Sequence, residues 1–196
     1  MEDKPSMVDL HLIKDYLDPA RRDEIVAELK LAGGGPATVY GKQKTGVVEP
    51  QVRRVTRLAV SPETRERLRQ QLLERKGEIE AHFGITLNEC EEPQFLRYQE
   101  GDYFVAHQDG NTPLIFDESR HRRVSVVIFL NSQSQEPTPD TYGGGALVFH
   151  GPYPNLTFRL PVAAEAGTLV AFRPETTHEV APVTHGERYT IVSWYR

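Results

Sequence analysis

Three separated segments hold residues whose types and spacing could do chemistry: His107-Gln108-Asp109, His178, and Arg188 within Gly-Glu-Arg-Tyr-Thr at 186–190. Two imidazoles and one carboxylate form the facial set that binds non-haem iron(II) and leaves positions open for substrate and oxygen. Residues two apart on a strand point to one side, so His107 and Asp109 would project together while Gln108 faces away. The third ligand must come from a distant wall. His178, 69 residues beyond Asp109, stands at the head of a β-rich stretch. Arg188 follows ten residues later. Its planar guanidinium fits a carboxylate in a two-bond fork, which suits the far end of an oxo-acid co-substrate. Thr190 shares the same strand face, and its hydroxyl could support that carboxylate.

The elements that must position these residues fall into a helical front and a β-rich back. After Pro93, β-rich segments follow one another between turn residues: Phe95 to Tyr98, Tyr103 to His107, Val124 to Leu130, Ala146 to Phe149, Leu156 to Leu160, Thr168 to Phe172, His178 to Val180 and Tyr189 to Tyr195. Roughly eight strands in about a hundred residues predict a sandwich, barrel or jelly roll. In front, residues 8–32 read as helical, with Leu10, Ile13 and Leu17 on one face and a fresh start at Asp18-Pro19. Residues 51–60 read as a strand. Ser61-Pro62 then opens a helix striped by Leu68, Leu72, Ile79 and Phe83 and stopped by Gly84. The junction near residue 92 is not linker-like, so residues 1–92 are expected to pack on a core formed by 93–196, as one structural domain.

From Tyr98 onward the chain resembles the prolyl 4-hydroxylase-like branch of the 2-oxoglutarate- and Fe(II)-dependent dioxygenases. The matching pieces are Y-x-E-G-x-Y-x-x-x-H-x-D at 98–109, V-S-V-V-I-F-L-N at 124–131, G-G-G-A-L-V-F at 143–149 and G-T-L-V-A-F-x-P-x-x-x-H-E-V-x-P-V-x-x-G-x-R-Y at 167–189. They cover about half the chain and stand in the family's order. The resemblance implies a mainly β fold with flanking helices, the double-stranded β-helix or jelly roll. It implies iron on His107, Asp109 and His178, the C5 carboxylate of 2-oxoglutarate on Arg188, and Tyr98 near the co-substrate. Fe(II), 2-oxoglutarate and O2 are the implied cofactors, with ascorbate as an auxiliary one. The implied reaction hydroxylates an unactivated C–H bond, in a prolyl residue of a peptide or protein, with succinate and CO2 as co-products. A free amino acid or other small molecule is the alternative substrate. A cupin-like metalloenzyme without 2-oxoglutarate and a non-catalytic jelly-roll module are the rival classes. Two positions depart from the pattern: Phe129 stands where some relatives place a tyrosine on the C5 carboxylate, and Ala146 where many carry an acid. Relatives that demethylate nucleic acid carry a second arginine six residues after the first, where this chain has Trp194.

Composition agrees with those limits. Net charge is −5 and hydrophobic content 38%, so neither a nucleic-acid nor a membrane partner is expected. The short basic clusters Arg53-Arg54 and Arg120 to Arg123 read as solvated surface. Cys90 is the single cysteine, which excludes an internal disulfide and points to a reducing compartment. The first nine residues have no apolar run, so no secretory signal is read there and a cytoplasmic protein is expected. Outside the triad, blander roles are expected. His11 and His82 read as helical surface, His121 as solvated, His150 as a turn residue and His185 as an exposed hairpin residue. Trp194 reads as core, Tyr103 equally as pocket wall or packing, and Cys90 as a small buried hydrophobe. The polar stretches 40–50 and 131–145 are candidate substrate lids.

Overall fold

The structure is a computed structural model that describes residues 8–38, 48–110, 117–152, 154–155 and 157–196. In chain order the elements are β1 (Leu10–Ile13), α1 (Pro19–Leu31), β2 (Gly34–Pro36), β3 (Arg53–Arg54), β4 (Thr56–Leu58), α2 (Pro62–Glu74) and α3 (Lys76–Phe83). There follow β5 (Gln94–Tyr98), β6 (Tyr103–His107), a 3-10 turn (Glu118–His121), β7 (Val124–Phe129), β8 (Tyr142–Gly144), β9 (Leu147–His150), β10 (Arg159–Val162), β11 (Leu169–Phe172), β12 (His178–Val180), β13 (Val183–Gly186) and β14 (Arg188–Tyr195). Seven strands form the larger sheet, in the order β1-β11-β7-β14-β5-β4-β2. Five form the smaller, β10-β9-β12-β6-β3, and β13 pairs with β8. These strands pair antiparallel across the sandwich, giving the double-stranded β-helix.

Strand β7 shows why the layers stack as they do. All six of its residues, Val-Ser-Val-Val-Ile-Phe, are buried. A strand covered on both faces needs no polar alternation. Val124, Val126 and Ile128 pack toward the helices, with Ile25, Leu29, Leu68, Leu72 and Ile79. Val127 and Phe129 face the other way, packing with Leu147, Phe149 and Phe172 between the sheets. Leu68 and Leu72 are fully buried. Cutting either to alanine costs about 2–5 kcal/mol.

The front of the chain departs from the expected helices in two places. Leu10–Ile13 is a strand, paired with Leu169–Phe172. The i, i+3, i+7 spacing of Leu10, Ile13 and Leu17 fits a helix, but the open edge of the larger sheet outbids four residues of weak local preference. The helix begins only at Pro19, where the Asp18 side chain accepts from the Arg21 N–H. The second expected helix is two, α2 and α3, broken at Arg75 (φ −90°, ψ 1°). The Leu68, Leu72, Ile79 and Phe83 stripe survives the break, all four residues being buried in one cluster. Gly84 closes α3 at φ 62°.

Residues 51–60 also divide. β3 joins the smaller sheet beside β6, and β4 joins the larger beside β5. The stretch 131–145 is not all loop, since Tyr142–Gly144 pairs with β13. Most of 40–50, and Leu156 of the expected strand 156–160, lie outside the described residues; the strand there is Arg159–Val162. Among the described residues, no helix is long and apolar enough to cross a membrane.

Candidate active site

His107 closes β6 and His178 opens β12, and the two are register partners in the smaller sheet. Asp109 lies beyond the strand end, so strand alternation does not aim it. Its N–H donates to the Pro174 carbonyl (2.8 Å), and its own carbonyl accepts from Arg122 Nη1 (2.9 Å). The carboxylate then sits 3.5 Å from His107 Nε2 and 3.7 Å from His178 Nε2. One ligand atom from each residue lies within 4.8 Å of the others.

Each imidazole is fixed by a carbonyl two residues back: His107 Nδ1 lies 2.9 Å from Val105 O, and His178 Nδ1 lies 2.9 Å from Thr176 O. A carbonyl only accepts, so Nδ1 carries the proton and the Nε2 lone pair faces Asp109. That tautomer and that backing are what a metal-binding histidine requires. Burial pushes the His178 pKa down, and His107 adds to it, to about 4 against the pull of Asp109. Burial works the other way on Asp109, but His178 and His107 outweigh it and hold the carboxyl well below the usual range. A neutral imidazole and a carboxylate are the forms a metal binds, so this donor set fits Fe(II). Phe104 stacks on His107 at 3.5 Å, and Phe172 meets His178 edge-on at 4.7 Å.

At the other end stands Arg188, paired in register with Tyr98 across β14 and β5. It is 1% exposed. Nη1 donates to Thr190 Oγ1 (3.2 Å), while Nε is buried without a partner among the described residues. Rings surround the guanidinium: Tyr98 at 4.9 Å, Phe129 at 5.5 Å and Tyr142 at 6.0 Å. No carboxylate of the described residues pairs with it. A buried cation with no anion is expensive unless a ligand supplies one. Gly145 (φ 58°) makes room: a Cβ there would stand 3.1 Å from both Arg188 Cδ and the Tyr142 ring. One cavity of about 290 Å³ is lined by His107, Asp109 and His178 together with Arg188, Thr190 and Tyr98.

Several neighbours escaped the sequence reading. Arg122 is buried rather than solvated. It makes a two-bond fork with Glu91 and lies 3.6 Å over the Trp194 ring. Trp194 is 7% exposed but also lines the cavity. Arg53 belongs to the cavity wall, above the Phe104 ring. His185 packs its ring on Gly143, where a Cβ would collide with it, and its Nε2 is buried. His11 lies on β1, stacked on His82 at 4.5 Å, with Glu78 and Asp9 as their partners. His150 ends β9 and pairs with Glu179. Tyr103 donates to the carbonyls of Pro50 and Gln51. Cys90 is buried against Ser193, and its thiol is pushed up to about 11 by burial. His121 is exposed beside Arg120.

A jelly roll that gathers two histidines and a carboxylate at one end of a cavity and a buried arginine at the other defines a class, the non-haem iron oxygenases. Residues 93–196 match the 2OG-Fe(II) oxygenase superfamily, and the chain belongs to that family, in its prolyl 4-hydroxylase-like branch. It is 33% identical over 186 residues to a PKHD-type hydroxylase of Paracoccus denitrificans (strain Pd 1222), a match covering 93% of this chain and 75% of the relative. A Pseudomonas putida prolyl-4-hydroxylase has the same fold, with TM-score 0.72 and 21% identity over 96% of this chain and 92% of its own. So does a Trichoplax adhaerens prolyl hydroxylase solved with a hypoxia inducible factor peptide fragment, with TM-score 0.70 and 17% identity over 95% and 83%. Family membership sets aside the cupin-like and non-catalytic readings.

Proposed function

We propose that this chain hydroxylates an unactivated C–H bond of a prolyl residue in a peptide or protein, consuming 2-oxoglutarate and O2 and releasing succinate and CO2. One oxygen atom enters the new hydroxyl and the other enters succinate. The observation that carries the reading is the buried, acid-free guanidinium of Arg188 in the same cavity as a histidine–aspartate–histidine cluster.

In this reading His107, Asp109 and His178 hold the metal. Iron(II), when bound there, supplies the oxygen-activating redox chemistry. His107 and His178 present Nε2 because Val105 and Thr176 hold the Nδ1 protons. Arg188 binds the far carboxylate of 2-oxoglutarate, Thr190 steadies the guanidinium, and Tyr98 walls the tail. Phe104 and Phe172 pack against the imidazoles and fix their ring planes. The prolyl peptide substrate is supported by two fold relatives, a prolyl-4-hydroxylase and a prolyl hydroxylase solved with a peptide fragment. The lone buried Cys90 supports a reducing, cytoplasmic setting.

The test is succinate formation by the full chain with Fe(II), 2-oxoglutarate and ascorbate, over a panel of prolyl peptides, free proline and other amino acids. Stimulation by peptides with stoichiometric hydroxyproline is the expected result. Stimulation by free amino acids alone would move the substrate to the small-molecule class.

A further inference from the structure

The Arg188 guanidinium has a second neighbour with an unmet need. Tyr142 is fully buried, and its hydroxyl has no hydrogen-bond partner among the described residues. Arg188 Nε, in the same cage, is likewise buried and unpartnered. The Arg188 Cζ lies 6.0 Å from the centre of the Tyr142 ring, and Gly145 sits beside both: a Cβ there would stand 3.1 Å from Arg188 Cδ and from the ring. Burial raises the Tyr142 phenol, and Arg188 opposes that rise, so the hydroxyl is within electrostatic reach of the cation.

The three rings of the cage are not equivalent. Phe129 offers no polar atom. Tyr98 lines the cavity, where a ligand can reach it. Tyr142 is sealed off, so the polar neighbour it offers is Arg188 itself. Its backbone is pinned on both sides: Tyr142 N–H donates to Ser132 O at 3.3 Å, and Tyr142 O accepts from Ser134 N–H at 2.8 Å. A phenol on so fixed a backbone, with Thr190 Oγ1 on Nη1, can set the plane of the guanidinium fork.

We propose that Tyr142 is a positioning residue for the oxo-diacid co-substrate: its sealed hydroxyl orients Arg188 and thereby sets the length of diacid the site accepts. The inference rests on the reading that Arg188 holds the far carboxylate. A plane fixed from behind by Tyr142 and Thr190 holds a two-bond fork at one distance from the histidines. A guanidinium free to tilt would accept a diacid one carbon longer.

Equilibrium binding of 2-oxoglutarate to the full chain, loaded anaerobically with Fe(II), tests it. Trp194, the single tryptophan, lines the cavity and serves as the fluorescent reporter. Tyr142→Phe should raise the dissociation constant and KM for 2-oxoglutarate about tenfold. Its kcat at saturating co-substrate and its melting temperature should stay near wild type. Its preference for 2-oxoglutarate over 2-oxoadipate should fall severalfold. Wild-type affinity and wild-type length preference in Tyr142→Phe, with binding lost in Arg188→Ala, would overturn the proposal and leave the role of Arg188 standing. A fall in melting temperature and kcat with affinity and length preference unchanged would overturn it too, leaving only a packing role. Equal binding by wild type and Arg188→Ala would overturn both.

Discussion

The two ends of the cavity are built on different principles. At the histidine end, the donors are held ready by the protein: two neutral imidazoles turn Nε2 toward one carboxylate, and each ring is held by a carbonyl two residues back. At the arginine end, the charge is left open: a fully buried guanidinium stands among three rings with, among the described residues, one hydroxyl acceptor and no acid. The first end is built for a cation and the second for an anion. Removing the buried His178 ring should leave a cavity and destabilise the metal-free protein, whereas removing the Arg188 guanidinium should relieve an unpaired buried cation and stabilise it.

The largest effect is expected from His178→Ala. Iron binding should be lost and turnover should fall by at least about a thousandfold. The cavity left by the buried ring, which packs on Phe172, should lower the melting temperature as well. Calorimetry and metal analysis check both; iron retained at wild-type stoichiometry would break the assignment.

Acid should act on the same end. The unfolded His178 imidazole takes a proton near pH 6.5 and the folded one only near pH 4, so folding disfavours the protonated form. Its stability contribution is fully present above pH 6.5 and is lost as pH falls toward 4, by about 3 kcal/mol. The depressed Asp109 adds a further loss below its ordinary value of 3.8. Urea melts of metal-free protein from pH 7.5 to 4 should show the decline, and His178→Gln should flatten it.

Next comes Arg188→Met, which sharpens the contrast. KM for 2-oxoglutarate should rise about a hundredfold or more with iron retained, while the metal-free protein gains about 1 kcal/mol of stability. A loss of stability instead would show that the rings and Thr190 already satisfy the cation. Gly145→Ala should have the smallest effect. Its φ of 58° and the 3.1 Å approaches to Arg188 and Tyr142 predict a stability loss of about 1–2 kcal/mol. It should weaken co-substrate binding severalfold and leave iron affinity unchanged.

The same contrast explains what could be read from the residues alone. The jelly roll was legible because short β-rich segments, β7, β11 and β14 among them, follow one another between turn residues. The histidine end was legible because residue type and spacing carry its chemistry. The aim of Asp109 was not, since it comes from Pro174 and Arg122 rather than from strand alternation. Arg122 looked solvated because its acid, Glu91, is 31 residues away and Trp194 lies on the last strand. Tyr142 sat in a polar stretch with no sign of burial, because the strand that pairs with it, β13, lies about 40 residues on. Leu10–Ile13 passed for helix because its partner strand is some 160 residues distant. Local chemistry was visible, and long-range partners were not.

The most direct measurement is an anaerobic visible spectrum of the protein with Fe(II), before and after 2-oxoglutarate. The account predicts a weak new absorption band that needs both additions, is absent in His178→Ala, and is lost in Arg188→Ala at the same co-substrate concentration although iron stays bound. Iron bound by wild type with no band on adding 2-oxoglutarate, or a band undiminished in Arg188→Ala, would contradict it.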